Sequence, residues 1–129
     1  MGNGWWRGCA LGVALLAGCG DDALAPFEPE VENRTDGFRL QARGVSGVTA
    51  TLQYDWETTG TEARVDHSTR TTGGTARLTI LAADGAVVYD RALLPGLNGA
   101  SMPGPAGTWQ VRVVLSDYSG TLDLRLQGP

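Results

Sequence analysis

Hydrophobic and polar side chains alternate along most of the chain from Thr35 onward. Because successive side chains of a β-strand point to opposite faces of a sheet, this alternation indicates strands that are buried on one face. Residues 87–94 carry apolar side chains at both parities, which predicts a central strand covered on both faces. The alternating segments are 38–42, 48–56, 63–67, 76–82, 109–115 and 122–126.

Short glycine-containing connectors separate these segments. Asp84-Gly85 predicts a tight hairpin, since this dipeptide tolerates the positive φ that such turns require. Thr72-Gly73-Gly74 and Ser119-Gly120 predict further turns, and residues 96–107, which hold four glycines and two prolines, predict a loop. The sequence therefore predicts an all-β fold over residues 35–129, a single antiparallel two-sheet β-sandwich of about seven strands.

The first 18 residues have the composition of an export signal. A weakly positive start that includes Arg7 precedes an apolar run over residues 9–17, and small residues follow this run. A membrane-spanning helix needs about 20 apolar residues, and this run has roughly half that number before Asp21 and Asp22 end it. The pattern predicts a signal peptide over residues 1–18.

The end of this segment resembles a known motif. Leu16-Ala17-Gly18-Cys19, followed by Gly20-Asp21-Asp22, resembles the lipobox of bacterial lipoproteins. The resemblance implies cleavage between Gly18 and Cys19, and it implies that Cys19 carries the acyl chains that bind the membrane. Because Gly20 rather than aspartate follows the cysteine, the inner-membrane retention signal of some enteric lipoproteins is missing. The implied location is therefore the outer membrane of the cell envelope.

Residues 19–34 combine acidic side chains with Pro26 and Pro29. Charge and proline favour an extended, solvated segment, so we predict a flexible tether between the lipidated N-terminus and the domain. An alternative stays open in which Phe27 and Val31 dock on the domain as part of an extra edge strand.

Charge and cysteine content narrow the function classes. Removal of residues 1–18 from the 129 leaves 111 residues with nine arginines and fourteen acidic side chains, a formal net charge of −5. This balance argues against nucleic acid as a partner and against electrostatic docking on anionic lipid. Because Cys9 belongs to the signal and Cys19 carries lipid, the domain has no disulfide and no thiol nucleophile.

A second resemblance concerns the last strands. Gly107-Thr108-Trp109-Gln110-Val111-Arg112-Val113 and Ser119-Gly120-Thr121-Leu122-Asp123-Leu124-Arg125-Leu126 are similar to the closing strands of jelly-roll domains. These include the P-domain of proprotein convertases and the bacterial pre-peptidase C-terminal domains. The resemblance implies a jelly-roll-like architecture with an indole at the sheet edge. It implies no binding residues, because the tryptophan near the end of the last P-domain strand is absent here.

His67 is the single histidine, and Asp66 and Ser68 flank it. Neighbours on a strand point to opposite faces, so these two side chains cannot complete a Ser-His-Asp triad with His67. Asp55 and Ser116 remain as partners that the fold could bring close. The pattern predicts no catalytic residue.

The acidic side chains give no clear catalytic or metal-binding motif. Asp55 and Glu57 share a strand face about 7 Å apart, a spacing that suits a glycosidase pair but is also ordinary for solvated side chains. The sequence lacks a His or Cys cluster and an Asp-x-Asp-x-Asp loop, so we predict no metal centre; Asp117 or Asp84 could contribute to a surface calcium site. No phosphate loop or dinucleotide motif appears, and we predict no cofactor.

Aromatic side chains give the candidate ligand-binding residues. Tyr118 and Asp117 lie at a predicted turn. Exposure of Tyr118 and Trp56 on one face would give a ring platform that suits a sugar or polymer. The alternative is that Tyr54, Trp56 and Trp109, all at inward parities, fill the core.

Together these features predict a lipid-anchored envelope lipoprotein whose domain is a non-catalytic binding or structural module. Its partner would be an envelope protein or a cell-wall polymer, and the threonine-rich stretches 58–61 and 69–75 would be recognition loops or plain solvated turns. Two alternatives are a carbohydrate-binding module and a small hydrolase or protease inhibitor.

Overall fold

The computed structural model describes residues 20–94 and 99–128, with side chains from residue 23. The predictions for Gly18 and Cys19 therefore lie outside the described residues. A 3-10 helix over Gly20–Phe27 precedes seven strands. The strands are β1 (Glu30–Arg34), β2 (Gly37–Thr58), β3 (Arg64–His67), β4 (Arg70–Leu81), β5 (Val87–Ala92), β6 (Gly99–Ala100) and β7 (Gly107–Gln127).

All strand pairs in the described part of the chain are antiparallel. The predicted all-β antiparallel fold is thus confirmed. The Asp84-Gly85 hairpin is also confirmed: Gly85 has a φ of 87°, and the Ala82 N–H donates to the Ala86 carbonyl oxygen at 2.8 Å. In a search of the described residues for a helix long and apolar enough to cross a membrane, none is found.

Two long strands, β2 and β7, organise the fold. They comprise 22 and 21 residues and pair from Gly37 opposite Gln127 to Thr58 opposite Gly107. The sequence predicted two shorter strands in place of each, with a turn at Ser119-Gly120. That prediction is wrong, because the extra residues form β-bulges, which bend a strand without ending its pairing. Thr72-Gly73-Gly74 likewise lies inside β4 at a register shift.

Each long strand contributes its two halves to different layers. The first half of β2 pairs with β1, and the second half of β7 pairs with β3. Strand β6 extends this layer by pairing with β3. The other half of β7 pairs with β4, and β4 pairs with β5. Buried residues from both layers form one hydrophobic cluster. One hydrogen-bonded sheet therefore folds over to give the two packed layers of a sandwich-like core.

Glycines allow the close approach at the bend. Gly120 and Gly74 have φ angles of 142° and 68°. A Cβ at Gly120 would overlap the carbonyl oxygen of Arg70, and a Cβ at Gly74 would overlap that of Asp117. Because β4 and β7 touch here through their backbones, only residues without a side chain fit.

Polar contacts join the two layers at their open sides. The Asn33 side chain donates to the Asp55 carbonyl oxygen at 2.6 Å, which links β1 to the far half of β2. On the opposite side, the Met102 N–H donates to the Val88 carbonyl oxygen, and Ser101 N–H donates to that of Ala63, both at 2.8 Å. The segment after β6 thus connects β3 with β5.

The segment before residue 35 packs on the domain. Leu24 is fully buried in the core and Phe27 is half-buried against it. β1 pairs with β2 from Glu30 opposite Gln41 to Arg34 opposite Gly37. The extended tether is therefore corrected in favour of the docked edge strand, because a buried leucine, worth about 2 kcal/mol, and a backbone ladder outweigh the local preference of charge and proline.

β5 also differs from expectation. It pairs with β4 alone, so it is not a central strand. A register shift between Ile80 and Leu81 leaves the adjacent residues Val88 and Tyr89 both buried while Val87 is exposed. Apolar side chains at both parities therefore reflect a bulged pairing and not cover on both faces.

Candidate functional site

Trp56 and Trp109 lie at the centre of the core. Both side chains are fully buried, and their rings meet edge to face at 6.1 Å and 88°. The indole N–H of Trp56 donates to the Arg34 carbonyl oxygen at 3.0 Å, and that of Trp109 donates to the Pro105 carbonyl oxygen at 2.8 Å. The core interpretation of these tryptophans is confirmed, and Trp56 offers no surface for ligand stacking.

Tyr118, predicted to be the exposed aromatic, is fully buried. Its hydroxyl lies 3.1 Å from the Arg70 carbonyl oxygen and 3.2 Å from that of Thr121. Burial raises the pKa of this phenol above its ordinary value. The prediction fails because Asp117, with a φ of 46°, is an extra residue between the buried Leu115 and Tyr118. The bulge shifts the side-chain parity and turns the ring inward.

Asp117 itself is exposed, and its N–H donates to the Thr49 hydroxyl at 2.9 Å. The three predicted ligand-binding residues therefore do not form one surface, since Trp56 and Tyr118 belong to the core. Each aromatic side chain in the described part of the chain is buried or half-buried.

His67 is 8% exposed and lies opposite Leu124 on β7. Ser68 is exposed, and Asp66 is half-buried opposite Arg125, so the alternation argument against a local triad holds. Asp55 lies opposite Gln110, in the other half of β7. The fold therefore separates the histidine from this carboxylate along the strand.

The remaining predicted carboxylates have structural contacts. Glu57 Oε2 accepts a hydrogen bond from the Thr108 hydroxyl at 3.0 Å. Asp84 Oδ1 accepts one from the Ala86 N–H at 3.0 Å and closes the hairpin turn. Across residues 20–94 and 99–128, no group of three or more His, Cys, Asp or Glu side chains is arranged to hold a metal ion.

Asp36, in the turn between β1 and β2, explains the first threonine-rich stretch. Its Oδ1 accepts from the Thr58 hydroxyl at 2.9 Å and the Thr59 N–H at 2.8 Å, and its Oδ2 accepts from the Thr59 hydroxyl at 2.6 Å. These bonds, led by that of the Thr59 hydroxyl, hold the pKa of Asp36 below its ordinary value. Thr58 and Thr59 thus tie the turn to the far end of β2.

An arginine-lined depression on the outer face is the most distinctive polar site. It occupies about 180 Å³ above Gly37. Its charged side chains come from three strands: Glu32 and Arg34 from β1, Arg39 from β2 and Arg125 from β7. Sequence reasoning missed this site, although the outward parity of Arg39 and Arg125 was visible, because strand order alone makes these residues neighbours.

The pairing register fixes the arrangement of this depression. Glu32 lies opposite Arg39, and Arg39 lies opposite Arg125. Directly opposed residues in an antiparallel pair project from the same face. Two guanidinium groups therefore stand side by side on the surface. Asp66, on β3, lies on the other side of Arg125 in the same row.

Comparison with known proteins finds no family profile and no curated protein that matches the chain. Among solved structures, the chain is similar to a chain of infectious bursal disease virus, Gt strain, at 17% sequence identity and a TM-score of 0.25. The similarity covers 78% of this chain and 30% of the viral one. The chain thus spans less than a third of the viral chain, and so low a TM-score supports no argument about function.

Proposed function

We propose that this protein is a lipid-anchored lipoprotein of the bacterial envelope, and that its β domain is a non-catalytic binding module held close to the membrane. The observation that carries the proposal is the short stretch of sequence between the lipobox cysteine, Cys19, and the fully buried Leu24.

The length of this stretch limits the distance between anchor and domain. Five residue steps span at most about 17 Å when fully extended, against about 50 Å for a segment extended through residue 34. The 3-10 helix that begins at Gly20 shortens the connection further, since it rises only about 2 Å per residue. A lipidated Cys19 would therefore hold the domain next to the headgroups.

Binding rather than catalysis is supported by where the candidate catalytic groups lie. His67 is inside, whereas Ser68 is exposed and Asp55 belongs to the other half of the long strands. The carbohydrate-binding alternative loses its proposed stacking platform, because Trp56 and Tyr118 are buried.

The anchor is tested by mass spectrometry of the N-terminal peptide of the full chain, expressed in a bacterial host. We expect a diacylated and N-acylated Cys19 at the first position. Cys19→Ser should abolish lipidation and leave the signal uncleaved, while the matched variant Cys9→Ser, inside the signal, should leave both unchanged. An unmodified Cys19, or cleavage at another bond, would overturn the proposal. Sucrose-gradient fractionation tests the expected outer-membrane location.

A further inference from the structure

We infer that the arginine-lined depression above Gly37 is a binding site for a phosphate group. The inference rests on the proposed binding role of the domain, and not on the lipid anchor. Three guanidinium groups and one carboxylate line the depression, from Arg34, Arg39, Arg125 and Glu32. These four side chains carry a formal charge of +2, whereas the whole chain has a net charge of −4. Two further carboxylates, of Asp66 and Asp123, lie beside Arg125.

The like charges of the depression favour an anionic occupant. Arg39 and Arg125 stand directly opposite each other on adjacent strands, and like charges in this position destabilise a strand pair. A bound anion between them would reverse the sign of that interaction. Because the overall charge is negative, such recognition depends on these few residues and not on a general attraction to anionic surfaces.

The arginines keep hydrogen-bonding capacity for a ligand. The Arg125–Asp123 and Arg34–Glu32 pairs have N–O distances of 3.7 and 3.8 Å, longer than the 2.7–2.9 Å typical of a charge-assisted hydrogen bond. Arg39 Nη2 donates to Gln41 at 3.2 Å, and its remaining Nη hydrogens are available to a ligand. Each guanidinium carries five N–H donors, so donors remain for an oxyanion.

Gly37 provides the space. A Cβ built on this residue would meet no atom within 4 Å, so the floor of the depression is open.

A carboxylate presents one planar edge, which suits one bidentate arginine, whereas a phosphate presents oxygens in several directions and suits arginines from several sides. Three arginines around one depression therefore favour phosphate. The group belongs either to a free phosphate compound or to a phospholipid headgroup.

The test uses the full chain purified from the bacterial expression host in an uncharged detergent, whichever fraction of the cell contains it. Isothermal titration at low ionic strength would measure the affinity for inorganic phosphate, for soluble short-chain phosphatidic acid and for acetate. We expect calorimetry to show phosphate binding and no comparable acetate binding. In nuclear magnetic resonance spectra, we expect phosphate to shift the Gly37 amide resonance. Tighter binding of phosphatidic acid than of phosphate would assign the site to a headgroup, and the reverse order would assign it to a free phosphate compound.

Two variants and a matched control locate the binding. Arg39→Gln and Arg125→Gln should each weaken phosphate binding by about tenfold or more, since each removes charge-assisted hydrogen bonds. Arg112→Gln is the control. Arg112 Nη2 donates to Gln110 at 3.1 Å, the same contact that Arg39 makes with Gln41 at 3.2 Å, but Arg112 lies in the other half of β7. This control should bind phosphate like the unmodified chain.

Gly37→Val keeps every charge and fills the depression with a side chain that suits a strand. It should leave circular dichroism and Tm unchanged or improved and should abolish phosphate binding. The inference is overturned if phosphate does not bind, if acetate binds as well as phosphate, or if Gly37→Val and the two arginine variants bind like Arg112→Gln. None of these results depends on the mass of the N-terminal peptide, so failure of the anchor and failure of the site are distinguishable.

Discussion

Arginine side chains have different neighbours on the outer faces of the two layers. In the layer of β4 and β5, Arg77 Nε lies 2.6 Å from Asp90 Oδ1, and the Thr79 hydroxyl adds a hydrogen bond to the same oxygen at 3.1 Å. In the layer of β1 and β3, Arg39 faces Arg125. The first face therefore pairs Arg77 with a carboxylate at hydrogen-bonding distance. The second places two guanidinium groups side by side, and its Arg125–Asp123 and Arg34–Glu32 pairs are longer, at 3.7 and 3.8 Å. The two halves of the same long strands thus separate a structural surface from a candidate binding surface.

The pairing of Arg77 with Asp90 changes the pKa values of both groups. The hydrogen bond from Arg77 is the main cause that lowers the pKa of Asp90, and the same bond raises the pKa of Arg77. Both groups are solvent-exposed, so water screens the attraction between them. Variants that affect one layer, the bend between the layers, or the N-terminal segment test how each part contributes to the fold.

Trp109→Ala should have the largest effect, a loss of about 3–5 kcal/mol in the free energy of unfolding, because it leaves a cavity where the indole packs on Trp56. Urea denaturation monitored by circular dichroism measures the loss. The control Val114→Ala, on the same strand but 38% exposed, should cost well under about 1 kcal/mol. A loss for Trp109→Ala as small as that of the control would contradict the packed core.

Gly120→Ala should cost about 3 kcal/mol, because the new Cβ would overlap the Arg70 carbonyl oxygen and push β4 from β7 at the bend. Gly44→Ala is the matched control. Gly44 also has a positive φ, 65°, but no atom lies within 4 Å of its built Cβ, so only the backbone cost of about 1 kcal/mol is expected. Equal losses in the two variants, measured by denaturant titration, would show that the close approach at the bend is not what requires glycine.

Leu24→Ala should cost about 2–3 kcal/mol, because Leu24 is fully buried and joins the N-terminal segment to the core. Ala25→Ser, at the exposed neighbouring position, is the control and should be nearly neutral. Limited proteolysis gives a second measure, since loss of the contact should expose residues 20–28 to cleavage. If Leu24→Ala left both stability and protease resistance unchanged, residues 20–34 would behave as a tether after all.

Asp36→Asn should have the smallest effect, and the effect should depend on pH. The hydrogen bonds from Thr59 and Thr58 lower the pKa of Asp36 below its ordinary value of 3.8, so the unfolded chain binds the proton more tightly. The contribution of this carboxylate to stability is therefore complete above pH 3.8 and is lost as the pH falls through its lower folded pKa.

Thermal unfolding from pH 6 to pH 2 measures this dependence. The difference in Tm between the unmodified chain and Asp36→Asn should shrink at the acidic end. Thr59→Val, which removes the hydroxyl that is the leading cause of the shift, should reduce the acid dependence in the same way. A Tm difference that stays constant over this range would contradict a role for the ionised carboxylate.

Several features of the fold and of the candidate residues followed from local sequence. Alternation predicted most of the strands, and it placed Trp56 and Trp109 at inward parities, where both are buried. Asp84-Gly85 predicted its hairpin. These succeeded because the two-residue period of a strand and the φ preference of a turn are properties of adjacent residues.

Other features depended on pairing between distant segments. The dipeptide Ser119-Gly120 suits both a turn and a β-bulge. The continued pairing of β7 with β2 and β4 selects the bulge, and this bulge buries Tyr118. Asp36 and Thr59 likewise meet only because β2 folds back.

The sequence by itself determined that the chain forms antiparallel strands and, away from the bulges, which of their faces is apolar, because hydrophobic burial acts through the spacing of neighbouring residues. Tertiary structure alone decided that residues 24–34 dock and that Arg34, Arg39 and Arg125 line one depression. The reason is that strand order and register are set by the combined packing of the whole core, and no single segment contains that information.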